Sequence, residues 1–456
     1  MKNTLRGGEG TARLLTARAF LWFLGIGGVG MSSLARLAVL RGFSVAGEDR
    51  RGETVRTFSG TGIRFFPEGT ELPAGVSAVI YTAAAPPDHP SISAAEERGV
   101  PLISRSDFLA YLMKDSPIRV TVAGSHGKTT VTSMLDAIFV RAGLSPTTVS
   151  GGTLSDGASY RAGNGKVFLV EACEYTDSFL SFSPTHALLL NLELDHVDYF
   201  RDLGALTRSA KKYLAGASAA IVPPALEALA GSGASVFSAE DANAALTVRD
   251  VVESHGGSRA ELVFCGERAG RLDLPVPGRH NLTDALAALL TAHEVGVPFS
   301  VSSSALADFR LPDRRLSMRG RWGGALWYDD YAHHPSEITA SIAALRPLCT
   351  GRLTVAFQSH TYSRTKADLP AFASALRAAD RVFVLPIYPA RETDDLGVSN
   401  ESLARAIGER ATAIPDFETA ATELKKAARP GDVIVVMGAG DVNEIFGYLG
   451  LSGGKA

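Results

Sequence analysis

The sequence predicts an α/β protein of three domains: a Rossmann-like N-terminal domain, a central phosphate-loop ATPase domain on a parallel sheet, and a Rossmann-like α/β C-terminal domain. Three observations carry this expectation. Two glycine-rich turns, at residues 25–30 and 124–127, each follow an apolar strand-like run and open a helix-like one. From residue 325 onward short apolar runs alternate with helical patterns, as in a parallel sheet wrapped by helices. A chain of 456 residues exceeds one hydrophobic core, and at ~150 residues per domain it suits about three.

Composition narrows the class. Hydrophobic content of 46% and charged content of 20% describe an ordinary soluble globular protein. A net charge of −3 gives no general pull toward nucleic acid or an anionic membrane, so any anion must be held by local sites. Cys173, Cys265 and Cys349 are far apart and form no CxxC pair, which reads as reduced thiols in a cytoplasmic protein. Lys2, Arg6, Arg13 and Arg18 precede LWFLGIGGVGMSSLARLAVL, a superficial likeness to a signal peptide. Gly25, Gly27, Gly28, Gly30 and Arg36 interrupt that run, so strand, turn and helix fit better. No other segment approaches the ~20 uninterrupted apolar residues of a membrane span. Residues 1 to about 18 show no clear period and are expected to form a loose extension.

Phe20 to Leu24 reads as a buried strand. Gly25-Ile26-Gly27-Gly28-Val29-Gly30 has GxGxxG spacing, with a helix from Met31 to Arg41 after it. Glu48 and Asp49 end the next run, FSVAGED. That is the dinucleotide-binding fingerprint, in which glycines let the backbone approach a diphosphate and the acid meets a ribose or base. A full two-halved dinucleotide domain needs more chain than precedes residue 124. Runs at Ala78 to Thr82 and Pro101 to Ser104, and a helical Phe108 to Met113, complete a domain over 1–113. It suits a diphosphate nucleotide and provides poorly for hydride transfer.

A second domain, 114–312, begins with the strand Ile118 to Ala123 and the loop Gly124-Ser125-His126-Gly127-Lys128-Thr129-Thr130, which opens a helix from Val131 to Ala142. Backbone N–H groups and the helix dipole can cradle polyphosphate there, with the lysine on the outer phosphates and the first threonine hydroxyl on magnesium. The glycines stand closer than in the standard loop. The flanking strand and helix nevertheless favour an ATP site over a chance turn. Val167 to Val170 ends at Glu171, and Ala187 to Leu192 is followed by Glu193-Leu194-Asp195-His196. Ligands of an open α/β sheet lie at such strand ends, so Glu171 and His196 are candidate metal ligands beside Thr129. For His196 a surface histidine in an acidic turn is an equal reading. A charge ending a buried run, as Glu171 does, needs a partner.

Residues 216–275 are alanine- and glycine-rich and read as scaffold. Pro277-Gly278-Arg279-His280-Asn281 introduces a helix from Leu282 to Glu294, where an imidazole and an amide can bond a purine edge; Asn281 could equally cap the helix. Leu311-Pro312-Asp313 marks the boundary to the third domain, 313–456. Its apolar runs end in polar clusters: Asp329 to His334, Ser359 to Arg364, and Gly438 to Asp441. Adjacent His333 and His334 cannot easily share one metal, so substrate contact or a structural role fits them better.

Together these stretches resemble the Mur ligases of peptidoglycan synthesis. The matching segments are FLGIGGVGMS, VAGSHGKTT, EACEY, NLELDHVDYF, PGRHN, Arg314-Arg315, DDYAHHPSE, FQSHTYSRT and VMGAGD, in family order over nearly the whole chain. The resemblance implies a UDP-sugar domain, a central ATPase and a C-terminal domain closing over ATP and the amino acid. It further implies that Lys128 and Arg315 hold the outer phosphates, that Thr129 and Glu171 bind one magnesium ion, and that His196 binds a second. His280 and Asn281 would lie near adenine and Asp330 near the ribose, while Gly27, Gly28, Val29, Gly30 and Met31 would approach the UDP diphosphate. His333 and Arg364 would place the amino acid, Arg364 matching its carboxylate bidentately. The implied substrates are ATP, UDP-N-acetylmuramate and L-alanine, with a monomer or homodimer as the active form. Several positions depart from the family pattern: Cys173 replaces a common aspartate and Tyr175 and Thr176 alter the next positions, while Asp284 replaces an asparagine and Thr361 an arginine.

The implied chemistry is amide formation through an acyl phosphate, because a carboxylate needs a good leaving group before an amine can displace it. Three other readings compete: a recycling ligase that adds a murein peptide to the same sugar nucleotide, an NAD-dependent oxidoreductase that leaves the loop at 124 idle, and a ligase fold retained for binding.

Overall fold

A computed structural model describes residues 7–16, 18–50, 58–83, 85–196, 199–254, 256–390 and 392–451. Lys2, Arg6 and residues 197–198 of the NLELDHVDYF stretch lie outside the described residues. The chain forms two compact units: Met1–Val248 with Leu262–Gly270 and Asp284–Leu306, and Arg249–Glu261 with Arg271–Thr283 and Ala307–Ala456.

In chain order the N-terminal part runs α1 (Gly7–Ala12), β1 (Phe20–Leu24), α2 (Val29–Leu40), β2 (Ser44–Asp49), β3 (Arg64–Pro67), β4 (Ala78–Tyr81), α3 (Pro90–Glu97), β5 (Leu102–Ser104) and α4 (Arg105–Met113). Its strands form a parallel sheet of order β3-β2-β1-β4-β5. The central position of β1 explains why Leu21, Trp22 and Phe23 are all buried: a strand covered on both faces reads as a continuous apolar run, not an alternating one. The expected loose extension is corrected at its described part. Gly7 N–H donates to Asp107 Oδ1 at 2.6 Å, and a Cβ on Gly8 would stand 2.7 Å from Ala110 O, so α1 lies backbone-close on α4.

The central part follows with β6 (Ile118–Ala123), α5 (Lys128–Arg141), β7 (Thr147–Val149), β8 (Tyr160–Arg161), β9 (Val167–Glu171), β10 (His186–Leu189), α6 (Leu203–Ala215), β11 (Ala219–Val222), α7 (Glu227–Ala230) and β12 (Ser235–Val236). The seven-stranded sheet has the order β12-β11-β10-β6-β9-β7-β8, parallel except for the β7–β8 pair. With β6 between β9 and β10, the loop at 124, Glu171 and the segment after Leu189 all emerge at one sheet edge. One apolar cluster, including Phe179 along with Phe23 of β1, Phe108 of α4, Val170 of β9 and Tyr213 of α6, joins both layers.

The region read as scaffold contains a three-stranded sheet, β13 (Leu246–Ser254), β14 (Gly257–Phe264) and β15 (Glu267–Leu274), followed by α8 (Arg279–Glu294) and α9 (Phe299–Ala307). The C-terminal part is β16 (Ser317–Trp322), β17 (Ala325–Asp330), α10 (Pro335–Leu345), β18 (Leu353–His360), α11 (Tyr362–Ala367), α12 (Leu369–Leu376), β19 (Arg381–Tyr388), α13 (Asn400–Ile407), β20 (Ala411–Ala413), α14 (Phe417–Ala427), β21 (Val433–Met437) and α15 (Ile445–Leu449). Its sheet order is β16-β17-β21-β18-β19-β20, with β16 alone antiparallel to its neighbour. Strands β17, β21 and β18 are adjacent, so all three predicted polar clusters share one edge.

Candidate active site

The loop after β6 is shaped by its two glycines. Gly124 has φ +143°, and a Cβ there would stand 3.0 Å from Leu190 Cβ and 3.2 Å from Asn191 N. Gly127 is left-handed at φ +83° and caps α5, and a Cβ on it would meet Asp284 Oδ1 at 2.9 Å. The segment after β10 braces the loop from outside. His126 N–H donates to Asn191 Oδ1 at 2.9 Å, Asn191 Nδ2 donates to His126 O at 3.1 Å, and Ser125 Oγ bonds both the O and the N–H of Glu193 at 2.9 Å. Asn191 and Glu193 are thus structural partners that sequence reasoning did not single out. The available signal was only that polar residues follow a buried run.

Lys128, Thr129, Glu171 and His196 come together as expected from their strand ends. Lys128 Nζ donates to Gly124 O, to Ser125 O at 3.2 Å and to Glu174 Oε2 at 3.1 Å. Burial depresses the lysine's pKa, but the carboxylates of Glu174 and then Glu171 more than reverse this and raise it. Thr129 Oγ1 donates to Glu171 Oε2 at 3.0 Å, and the same oxygen accepts Gly151 N–H at 2.8 Å. His196, left-handed at φ 55°, stacks on Tyr175 with ring centroids 4.7 Å apart and brings Nε2 to 3.7 Å from Glu174 Oε1. Glu174, 3% exposed, is the residue the sequence reading missed. Cys173 is a half-buried thiol whose pKa rises to about 11, mainly through desolvation and then through Glu174.

The N-terminal glycine turn corrects the expectation that its acids meet a ribose or base. Glu48 does not reach a ribose: it is buried and accepts bonds from Trp22 Nε1 at 3.3 Å, Gly69 N–H at 2.8 Å and the Ser91 hydroxyl. Asp49 Oδ2 accepts Gly27 N–H at 2.8 Å, which closes the turn and removes that N–H from the set facing a diphosphate. Met31 belongs to the apolar core, so only its backbone is left for a ligand. Gly28 caps α2 and Val29 is exposed beside it.

In the second unit, His280 and Asn281 lie inside the first turn of α8. Asn281 Nδ2 donates to Pro277 O at 2.6 Å, so the alternative of an N-cap gives way to a buried amide tying the turn to its own entry strand. Burial lowers the His280 pKa to about 4, against a smaller opposing pull from Glu337. His280 lines a cavity of about 370 Å³ with Glu253, Ser258, Gly278, Ala344 and Leu348. Arg315 stacks over Tyr331 at 5.1 Å and approaches Glu337 at 4.0 Å, while Arg314 donates to Gly438 O and Gly440 O. His333 Nδ1 lies 3.2 Å from Glu337 Oε2. His334 caps α10 in a capping box with Glu337, a structural role. Asp330 points inward to the Ser341 hydroxyl and Leu316 N–H, and burial lifts its pKa to about 6; each of its oxygens keeps a further acceptor position. Arg364 sits on α11, behind Thr361, which holds a left-handed φ of 68° and caps that helix.

The hydroxyl of Thr129 and the Glu171 carboxylate are hard oxygen donors at a helix N-terminus, a set that fits magnesium. A lysine, a loop of backbone N–H groups and that oxygen pair are what binding and transferring a phosphoryl group require.

The chain matches the Mur ligase family catalytic domain over residues 21–117, the Mur ligase middle domain over 122–292 and the Mur ligase glutamate ligase domain over 314–440. It is 35% identical over 440 residues to a UDP-N-acetylmuramate–L-alanine ligase of Lachnospira eligens, covering 93% of this chain and 96% of that one. The corresponding ligase of Mycolicibacterium smegmatis is 38% identical, with 93% of each chain covered. The crystal structure of the UDP-N-acetylmuramate–alanine ligase of Thermotoga maritima superposes with a TM-score of 0.79 at 26% identity, over 94% of this chain and 97% of that one. Three consecutive family domains, full-length relatives and a phosphate loop braced as described lead to one assignment: this chain belongs to the Mur ligase family.

Proposed function

We propose that the chain is an ATP-dependent ligase that joins L-alanine to the lactyl carboxylate of UDP-N-acetylmuramate, in peptidoglycan precursor synthesis. The observation that carries this reading is the convergence of Lys128, Thr129, Glu171 and Glu174 where the loop and two strand ends meet, in a chain alike over its full length to ligases of that name. The domains divide the work: 1–113 takes the sugar nucleotide, 114–312 the ATP, and 313–456 the amino acid. No helix among the described residues is long and apolar enough to cross a membrane. We place the reaction in the cytoplasm, with a monomer or homodimer as the working form and no nucleic-acid partner.

Lys128 and the N–H groups of Ser125 to Thr130 hold the β- and γ-phosphates, and Arg315 neutralises charge that develops during transfer. Magnesium, two ions by family resemblance, supplies Lewis acidity and charge neutralisation; Thr129 and Glu171 would hold one ion and His196 the other. The lactyl carboxylate attacks the γ-phosphorus, ADP departs, and the acyl phosphate is then attacked by the amine of L-alanine, with phosphate leaving. His280 and Asn281 face the adenine, Asp330 the ribose, and His333 with Arg364 the amino acid.

The test is phosphate release from full-length protein with ATP, magnesium, UDP-N-acetylmuramate and L-alanine. Turnover that needs all four supports the reading. Turnover with a murein tripeptide and none with L-alanine would overturn it, as would unchanged turnover in Lys128→Ala.

A further inference from the structure

Arg105 opens α4 and lies half-buried within the first unit. Its guanidinium is pressed against the glycine turn: a Cβ on Gly30 would stand 2.9 Å from both Nε and Nη2. A side chain at position 30 would therefore push this guanidinium aside, a contact the fingerprint alone does not give. The guanidinium also lies within the field of the strand end that carries the metal ligand. Burial lowers its pKa, and Glu171 is the first neighbour that opposes this. Among the described residues the guanidinium has no hydrogen-bond partner for its donors. A permanently charged fork with five N–H groups thus lies between the glycine turn and the phosphoryl-transfer corner.

The proposed substrate brings two anionic groups, a diphosphate and a carboxylate. The diphosphate is served by backbone N–H groups at the start of α2. The carboxylate has to approach Thr129 against the charges of Glu171 and Glu174, and Lys128 is already engaged by Glu174 and two loop carbonyls. Apart from magnesium, the carboxylate has no side-chain cation assigned to it.

We propose that Arg105 is a substrate-binding residue that receives the free carboxylate of the sugar-nucleotide acid and holds it between the Gly30 turn and the Thr129–Glu171 corner. This rests on the function proposed above. A guanidinium matches a carboxylate with two parallel bonds, so its loss removes both charge and orientation.

Calorimetric titration of the full-length wild type, Arg105→Lys and Arg105→Gln with UDP, UDP-N-acetylglucosamine and UDP-N-acetylmuramate, without ATP, tests it. The first two ligands lack the lactyl carboxylate. The expected result is a loss of about 10- to 100-fold for UDP-N-acetylmuramate in Arg105→Gln, a smaller loss in Arg105→Lys, and values within about twofold of wild type for the other two ligands. A loss confined to one ligand cannot come from misfolding. Equal losses for all three ligands, or no loss for any, would overturn the proposal. If the wild type binds UDP but does not prefer UDP-N-acetylmuramate to UDP-N-acetylglucosamine, the functional reading itself fails and this role falls with it.

Discussion

The Lys128 ammonium lies 3.1 Å from the Glu174 carboxylate, a side chain that is only 4% exposed. The pair keeps the lysine charged and aimed along its loop before any phosphate is present. Its partner must be shared or displaced when a nucleotide enters.

Glu174→Gln should therefore destabilise the ligand-free protein by about 1–3 kcal/mol, because a buried cation loses its counter-charge while keeping its carbonyl partners. Urea denaturation with and without Mg-ATP measures this. The deficit should shrink with Mg-ATP bound, since phosphate oxygens then take the place of the carboxylate. An equal deficit in both conditions would show that Lys128 does not meet the nucleotide.

Gly127→Ala places a side chain at φ +83° and against Asp284. The left-handed backbone costs about 1–2 kcal/mol in stability, read as a lower melting temperature. The shifted loop should raise the KM for ATP by about tenfold or more. A melting point and KM equal to wild type would mean that the loop relaxes without consequence.

Acid titration separates two buried groups with opposite signs. Asp330 has its pKa raised by burial from 3.8 to about 6, so the fold disfavours its ionised form. That penalty is complete above about pH 6 and is relieved as the pH falls toward 4. His280 has its pKa lowered by burial from 6.5 to about 4, so the fold disfavours its protonated form. Its penalty is absent above about pH 6.5 and grows as the pH falls toward 4. The wild-type stability curve should be comparatively flat between these limits. Asp330→Asn should lose stability on acidification there, and His280→Gln should gain it. Parallel curves for both variants in urea denaturation would contradict the assignment.

Thiol labelling should follow burial. Cys265 is exposed, whereas Cys173 is half-buried with its pKa pushed to about 11. A maleimide at neutral pH should modify Cys265 first and Cys173 last, with peptide mass spectrometry as the readout. Rapid loss of Cys173 would mean that the strand end around Glu171 opens readily.

Much of this architecture is legible in the residues. β1, β6, α10 and β21 begin and end where their apolar runs do, because each is a buried run bounded by glycine, proline or a polar cluster. α1 is not legible: Gly7, Gly8 and Gly10 are poor helix formers, and the helix exists because α4 accepts its bare backbone. At the site, Lys128, Thr129 and Glu171 follow from strand ends. Glu174 does not, because two carboxylates three residues apart look alike in sequence. The left-handed turn at Thr176 and Asp177 follows directly, a conformation that a β-branched residue gives no reason to expect. Glu48 and Asp49 misled because an acid after a strand signals ribose recognition only when no nearby donor claims it, and Trp22, Gly69, Ser91 and Gly27 all do.

The corner around Lys128 sets Glu171 and Glu174 against Lys128 and Arg105, with Cys173 uncharged. The side chains of this corner offset only part of a nucleotide's four charges and leave the rest to the loop N–H groups and to magnesium, which makes metal and nucleotide mutually dependent guests: whatever factor one adds to the other's affinity is returned in equal measure.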